Sequence, residues 1–564
     1  MPRHSTSNKT SKSSTTNQAG GLYGRPLLLK IKQYMREELA RSRAHLKIRG
    51  KPRIYYLSYL FRNQQTNKIW GRLGAINEAS NKVRNTLYCD VRVGSNRYDN
   101  VSGGGLEDNS NRDESYDYIN LPMEPAKDAF KFGLWKLTDA RYREAAEQYY
   151  ERRSRELHFV EANPELPSRV PQPVQNHFKY REFPEVDLDA WKNLIRKAGL
   201  KTKKYHEIKN SWFEFIAHRR QHLFVNSQGS VILQQLAIYE LRCHVWMLTK
   251  DGEGLSQECN LIEGDLADLP SEKEFLRIVQ DRIDALLKIR NAPRINSYSG
   301  PVLLSPDASG LFFHEVVGHR LEGSRLLSPD EGATFMDLRD KRIAPDFIDI
   351  VDDPTVSRYA GGRRMIGSFD FDDEGAPSRR AVLVEKGVLK NFLTTSAPIP
   401  GQRQLNGHAR NSLHERPISR MGNLFVINRK PTSPADIRAA FLEEIKKQKK
   451  PFGIMVKEVL GGETGTESYD FQAFKGEILS AVRVFPDGRE EPVRGVDFVG
   501  TPLSALDSVI CLGDDPVMEN SYCGAESGMV PVSTIAPSML IRNLELQSQD
   551  RERFTQYIMP LPYK

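Results

Sequence analysis

The sequence predicts a two-domain α+β chain of antiparallel sheets and a few helices, with one histidine-bearing helix in the C-terminal domain. Three observations predict it. A length of 564 residues exceeds what one hydrophobic core serves, since domains run to about 100–200 residues. Runs of alternating apolar and polar residues outnumber helical patterns, and strands and helices do not alternate as they would in a parallel βαβ fold. The composition, 27% charged and 39% hydrophobic, is that of a globular protein and excludes a fibrous repeat or a wholly disordered chain.

The elements follow in order. Residues 1–21 are polar, simple in composition and have nothing to bury, so they are expected to be a disordered tail. Leu27, Leu28, Ile31, Met35 and Leu39 fall at helical spacing and predict a helix from Pro26 to about Ile48. Arg53 to Arg62 and Lys68 to Ile76 alternate around Gln64-Gln-Thr-Asn67 and predict a hairpin turning there, with a third strand over Thr86–Val93. Gly, Asn and Asp between Ser102 and Ser115 mark an exposed loop before a long helix over about Glu124–Leu157. A Pro-rich connection (163–184) leads to a helix near Asp187–Ala198, strands across about 207–250 and a helix at about Ser271–Ile289. The break at Asn291–Gly300 sets the expected boundary, giving an N-terminal α+β domain of 22–295 and a β-rich C-terminal domain of 296–564. Within the latter a further helix is predicted near Ser433–Lys449.

Charge and cysteine usage narrow the class. Residues 1–53 hold 13 Lys and Arg against Glu37 and Glu38, a net +11, so with +8 overall the other 511 residues are net −3. The basic character therefore belongs to a tail and one helix face, which argues against a nucleic-acid partner for the body of the chain. Five widely spaced cysteines make no disulfide framework. No run of 18 uncharged apolar residues exists and no apolar h-region follows the N-terminus, so the expectation is a cytoplasmic chain without membrane contact.

The chemistry concentrates after Ser305, where Pro306 and Asp307 can open a helix that runs to Glu322 and stops at Gly323. Inside it lies His314-Glu-Val-Val-Gly-His319. Two imidazoles beside an unligated carboxylate are what a hydrolytic zinc centre needs. Histidines four apart on a regular helix stand about 40° from each other, but five apart they stand about 140° from each other and cannot clamp one ion. Either the pair is structural, or a π-turn adds one residue, a distortion that Gly318 would ease. A third donor must come from far away: Cys523, read as lying in a Gly-flanked turn, is one candidate and Cys511 another.

The segment resembles the HExxxH helix of the TldD/PmbA family of metallopeptidases. Phe371-Asp-Asp-Glu-Gly-Ala-Pro377, Asn406-Gly-His-Ala-Arg410, Arg416-Pro-Ile-Ser-Arg-Met-Gly-Asn423, Val493-Arg-Gly-Val496, Cys523-Gly and Val530-Pro-Val532 resemble further segments of that family in the same order. The likeness spans about 295–545. It implies one zinc per chain held by His314, His319 and Cys523, with Glu315 as general base. It also implies an enclosed chamber open to unfolded or flexible peptides, and a homodimer or a heterodimer with a paralogue. One departure is Glu463 to Gln472, where extra residues interrupt the family's usual TTGDF-type segment.

The expected activity is zinc-dependent hydrolysis of peptides. His408, Arg410 and His414 are candidate donors to an oxyanion, and Glu322 a candidate partner that orients an imidazole. Three other readings stand beside it: a non-catalytic partner in peptide maturation, a nucleic-acid-associated regulator acting through residues 1–53, and a zinc amidohydrolase on non-peptide substrates.

Overall fold

The structure, a computed structural model, describes residues 21–106, 119–156, 165–328, 331, 334–468, 472–549 and 553–563. The expected tail, most of the Ser102–Ser115 loop and residues 469–471 of the departing segment lie outside the described residues.

One seven-stranded sheet organises the N-terminal half. It contains β1 (Ile54–Arg72), β2 (Ala75–Val93), β3 (Ile119–Asn120), β4 (Asn176–Phe178), β5 (Ile208–Asn226), β6 (Val231–Leu248) and β7 (Gly254–Glu263), in the order β3-β2-β1-β5-β6-β4 with β7 also on β6. The hairpin does not turn at Gln64–Asn67. β1 runs straight through these residues, pairing them with 81–84, and the chain reverses at Leu73 and Gly74, both at positive φ. The expected second and third strands are thus the end of β1 and the end of β2. The misreading has a physical cause: residues 62, 64 and 66 lie on one side of the strand, so a polar sheet face imitates a turn.

The two faces of this sheet have different partners. Odd-numbered residues such as Leu57, Tyr59, Phe61 and Leu223 bury against helices α1 (Arg25–His45) and α2 (Lys127–Glu156). Further along, Phe213, Phe215 and Ile69 bury against α3 (Leu188–Thr202) and α4 (Glu272–Ile289). Sequence explains where these helices start: the Asp187 side chain accepts from two free N–H groups, and Ser271 and Glu274 form a capping box. The even-numbered face meets the C-terminal half, where Leu60, Tyr88 and Phe224 pack with Phe371, and Ile238 and Ile262 with Ile366.

The C-terminal half has two sheets and a two-stranded ribbon. Strands are β8 (Ser297–Leu304), β9 (Ile348–Asp352), β10 (Ala381–Glu385), β11 (Val388–Leu389), β12 (Ala409–Arg410), β13 (Ile418–Ser419) and β14 (Asn423–Asn428). Then come β15 (Gly453–Thr464), β16 (Phe474–Val484), β17 (Glu490–Val493), β18 (Val496–Gly500), β19 (Val509–Leu512), β20 (Val517–Ala525), β21 (Gly528–Ala536) and β22 (Met539–Ser548). One sheet is β11-β10-β9-β14-β21-β20. The other is β15-β8-β22-β18-β16-β17, with β19 on β22 and β15 also paired to β16. Helix α5 (Pro306–Phe313) follows β8 and lies between the sheets, touching β15 on one side and β20 and β21 on the other. α6 (Pro434–Lys447) and α7 (Pro502–Asp507) pack outside this core. The molecule is α+β with predominantly antiparallel pairing, as the sequence predicts. No helix among the described residues is long and apolar enough to cross a membrane.

Candidate metal centre

The helix expected to reach Glu322 changes geometry at the histidines. α5 ends at Phe313, residues His314–Gly318 form a π-turn, and His319–Leu321 form a 3-10 turn. The His319 N–H donates to the His314 carbonyl, a five-residue step that stacks the second histidine over the first. The ring centroids are consequently 5.0 Å apart. Gly318 contributes space rather than backbone freedom, since its φ of −53° is ordinary for a helix. A Cβ there would lie 2.1 Å from Met421 Sδ.

The third donor arrives from β20. Cys523 is in a strand, paired with Val530 of β21, and not in the turn expected for it. Its Sγ lies 3.4 Å from His319 Nε2, and the donor atoms of His314, His319 and Cys523 lie within 4.8 Å of one another, all buried. Two imidazole nitrogens and a thiolate suit zinc, and three protein ligands leave room for a further one. The electrostatics agree. Burial raises the Cys523 thiol, but the His319, Arg420 and His314 charges outweigh it and hold the thiol well below its ordinary value. Arg420 donates from Nη2 to Cys523 Sγ at 3.1 Å and to Cys523 O at 2.7 Å.

Glu322 settles the other side of the cluster. It is fully buried, with Oε2 3.4 Å from His319 Nδ1, 2.9 Å from Arg325 Nη2, and Oε1 3.3 Å from Arg420 Nε. Burial raises its carboxyl, and His319 with the two guanidinium groups reverses that and holds it at about 2. An ionised carboxylate on Nδ1 leaves Nε2 facing Cys523. Arg325 also donates to Thr466 and Glu526, tying the histidine turn to the tip of the β20–β21 hairpin.

Glu315 is buried on the π-turn itself. Gly462 of β15 lies against it, and a Cβ at that position would stand 2.9 Å from Glu315 Cγ. Arg320 donates from Nη1 to the Glu315 carbonyl at 2.7 Å, and from Nη2 to the carbonyls of Gly465 and Gln472. The departing segment is therefore fastened at both ends to the turn that carries Glu315.

The remaining candidates have structural partners. His408 is fully buried with Nδ1 against Asn406 and Nε2 3.2 Å from Asp352 Oδ1. Arg410 donates to the Met421 carbonyl and stacks over Phe369. His414 Nε2 lies 3.5 Å from Glu415. Cys511 pairs with Leu540 in the other sheet, away from the donor cluster. Three contributors escaped sequence reasoning: Arg420, Gly462 and the pairing of Glu322 with two guanidinium groups. Arg420 sits inside the quoted Arg416–Asn423 segment, so its signal was present but carried no indication of its partner.

The fold and this buried His2Cys donor set define a candidate single-metal centre carried by an α+β scaffold. Residues 297–548 match the family model of the PmbA/TldA metallopeptidase C-terminal domain, and over that span the chain is similar to the TldD/PmbA family. A metalloprotease of Methanothermobacter thermautotrophicus is 27% identical over 326 residues, 57% of this chain and 66% of its own length. A zinc metalloprotease TldD homolog of Saccharolobus solfataricus is 27% identical over 285 residues, 50% of this chain and 58% of its own. The chain thus spans about two thirds or less of these relatives. TldE from Thermococcus kodakarensis shares the fold, with a TM-score of 0.57 and 15% identity, covering 93% of this chain and all of that one. A Bacteroides thetaiotaomicron protein does so with a TM-score of 0.60 and 12% identity, covering 92% and 98%.

Proposed function

We propose that the chain is a zinc-dependent peptidase that hydrolyses extended, flexible peptides, with zinc held by His314, His319 and Cys523. The observation that carries this reading is the convergence of those three buried donors within 4.8 Å, beside a buried carboxylate on the same turn. Zinc bound there supplies Lewis acidity toward a substrate carbonyl and toward water.

The chain's own residues do the rest. Glu315 takes a proton from the attacking water and delivers it to the leaving amine, and Gly462 leaves its side chain the space to do so. Glu322 holds His319 by Nδ1, and Arg420 keeps Cys523 ionised. His408 and Arg410 support the fold around the centre, because their polar atoms are engaged with Asn406, Asp352 and Met421. A homodimer around an enclosed chamber, in the cytoplasm, completes the reading.

The test is metal analysis, light scattering and peptide cleavage on one preparation. Wild type is expected to carry about one zinc per chain and to be dimeric. Glu315→Gln is expected to keep the zinc and lose cleavage by a factor of about 10²–10⁴. Cys523→Ser is expected to lose zinc at equal chelator concentration. Full cleavage by Glu315→Gln would end the general-base role, and unchanged zinc in Cys523→Ser would remove that ligand.

A further inference from the structure

On the face of the N-terminal sheet that looks toward the C-terminal half, strand pairing assembles a field of like charge. Arg62 stands between Thr86 of β2 and His222 of β5, Gln64 between Arg84 and Arg220, and Thr66 between Lys82 and His218. Directly paired residues share a face, as do alternate residues along a strand, so these nine side chains stand together. None is an acid and none carries an aromatic ring of the Phe, Tyr or Trp kind. The apolar contact of Leu60, Tyr88 and Phe224 with Phe371 ends where these rows begin.

A cavity of about 280 Å³ lies over the rows and is closed on its far side by Ser412 and Leu413. Through Arg220, His222 and Ser412 it meets a second cavity, of about 300 Å³. That one reaches Met529 and Val530 of β21, and Val530 is the ladder partner of Cys523. The cationic cavity on the sheet thus adjoins a second one, of mixed charge with Asp370, Asp372 and Asp373 in its lining, that reaches the hairpin carrying the thiolate donor.

Lys82 has Glu78 4.0 Å away and His218 has Glu240 3.5 Å away, but the charge on Arg84 and Arg220 is poorly answered within the chain. Among the described residues neither Arg84 nor Arg220 has a carboxylate within 4.0 Å, and Arg220 Nε is buried with no hydrogen-bond partner. Arg62 is engaged, donating to Leu413 O at 2.8 Å and to Asn411, with Asp373 3.9 Å away. Burial first, then the Arg62 and Arg220 charges, push His222 well below its usual range. Like charges side by side on a sheet are destabilising, and an anionic ligand offsets that.

We propose that this cavity is a subsite for acidic side chains of the peptide substrate, so that the chain selects extended peptides with Asp or Glu flanking the bond presented to the metal centre. The inference rests on the peptidase reading above. A peptide is favoured over a nucleic acid because the space is a side-chain-sized cavity whose rows offer no aromatic ring for base stacking.

The test measures binding without turnover, using full-length Glu315→Gln and labelled unstructured peptides that differ only in carrying Asp, Asn or Lys at the flanking positions. The Asp peptide is expected to bind about tenfold tighter than the Asn peptide at low salt. That ratio is expected to shrink toward one as salt rises, and in the same protein carrying Arg84→Gln and Arg220→Gln. A ratio near one at low salt, or a ratio unchanged by both the salt and the double substitution, overturns the proposal. So does an oligodeoxynucleotide that binds more tightly than the Asp peptide and is lost in the same variant. Selection for Asp by a chain whose wild type cleaves nothing would leave the subsite standing and remove hydrolysis alone.

Discussion

At the scale of single residues, most of what matters is a buried charge held by its neighbours. Glu322 receives His319, Arg325 and Arg420, so one carboxylate fixes a histidine tautomer and two guanidinium groups. His218 and His222 show the opposite case, imidazoles kept neutral. Burial, then Arg220 and Arg242, lower His218 to about 4 even with Glu240 Oε1 3.5 Å away, and His222 moves in the same direction. A base whose folded value lies below its unfolded value of about 6.5 stabilises the fold above that pH, and the contribution fades as pH falls toward the folded value. Thermal melts from pH 7 to pH 4 are therefore expected to show declining stability. His218→Gln and His222→Gln should each flatten that decline by an amount on the order of 1 kcal/mol. An unchanged slope in both variants contradicts the assignment. The contiguous residues of the site were legible in the sequence: His314, Glu315 and His319 announce themselves by type and spacing. Cys523 did not, because a lone cysteine looks the same as packing until a fold brings it near a partner. From the residues alone it was one candidate beside Cys511, and the resemblance of the surrounding segments singled it out.

At the scale of elements, the π-turn is the decisive departure from regular structure. The five-residue spacing made a widened turn one of two readings of the sequence, and the His319 N–H to His314 carbonyl bond supports that one. The reason for glycine at 318 was misjudged, since it gives room to Met421 rather than loosening the backbone. Gly318→Ala is accordingly expected to cost about 1–3 kcal/mol by overpacking. Met421→Ala in the same chain should recover much of that loss, a coupling that a double-mutant cycle by urea denaturation would measure. Additive effects would contradict the contact. The β1–β2 hairpin teaches a different lesson. A polar stretch reads as a turn when one sheet face is polar along three strands, and only long-range pairing distinguishes the two. The residues that do turn, Leu73 and Gly74, offered a weak local signal because leucine has no preference for positive φ.

At the scale of the whole molecule, the two halves are joined by buried charge as well as by apolar contact. Arg92 reaches Asp90 and Asp99 in its own half and Glu374 across the seam, at 2.9, 3.4 and 2.9 Å, while Arg416 reaches back to Asp90 at 2.6 Å. Burial raises the Asp90 carboxyl, and the Arg92 and Arg416 charges more than reverse it, leaving it well below the usual carboxylate range. Arg92→Met leaves three buried acids short of a partner and is expected to destabilise the chain by about 3–5 kcal/mol in chemical denaturation. A loss below about 1 kcal/mol would mean the network contributes little. None of this seam was readable from sequence. Asp90, Arg92, Glu374 and Arg416 are ordinary charged residues there, and their partners lie up to 326 positions away.

That same separation has a consequence in time. Cys523 lies 204 residues after His319. At synthesis rates of about 5–20 residues per second, roughly 10 to 40 seconds pass between the two leaving the peptidyl-transferase centre. During that interval the histidine turn has neither its thiolate nor the hairpin that Arg420 and Arg325 fasten. The three-donor set is complete only once synthesis has passed Cys523 and its hairpin has folded.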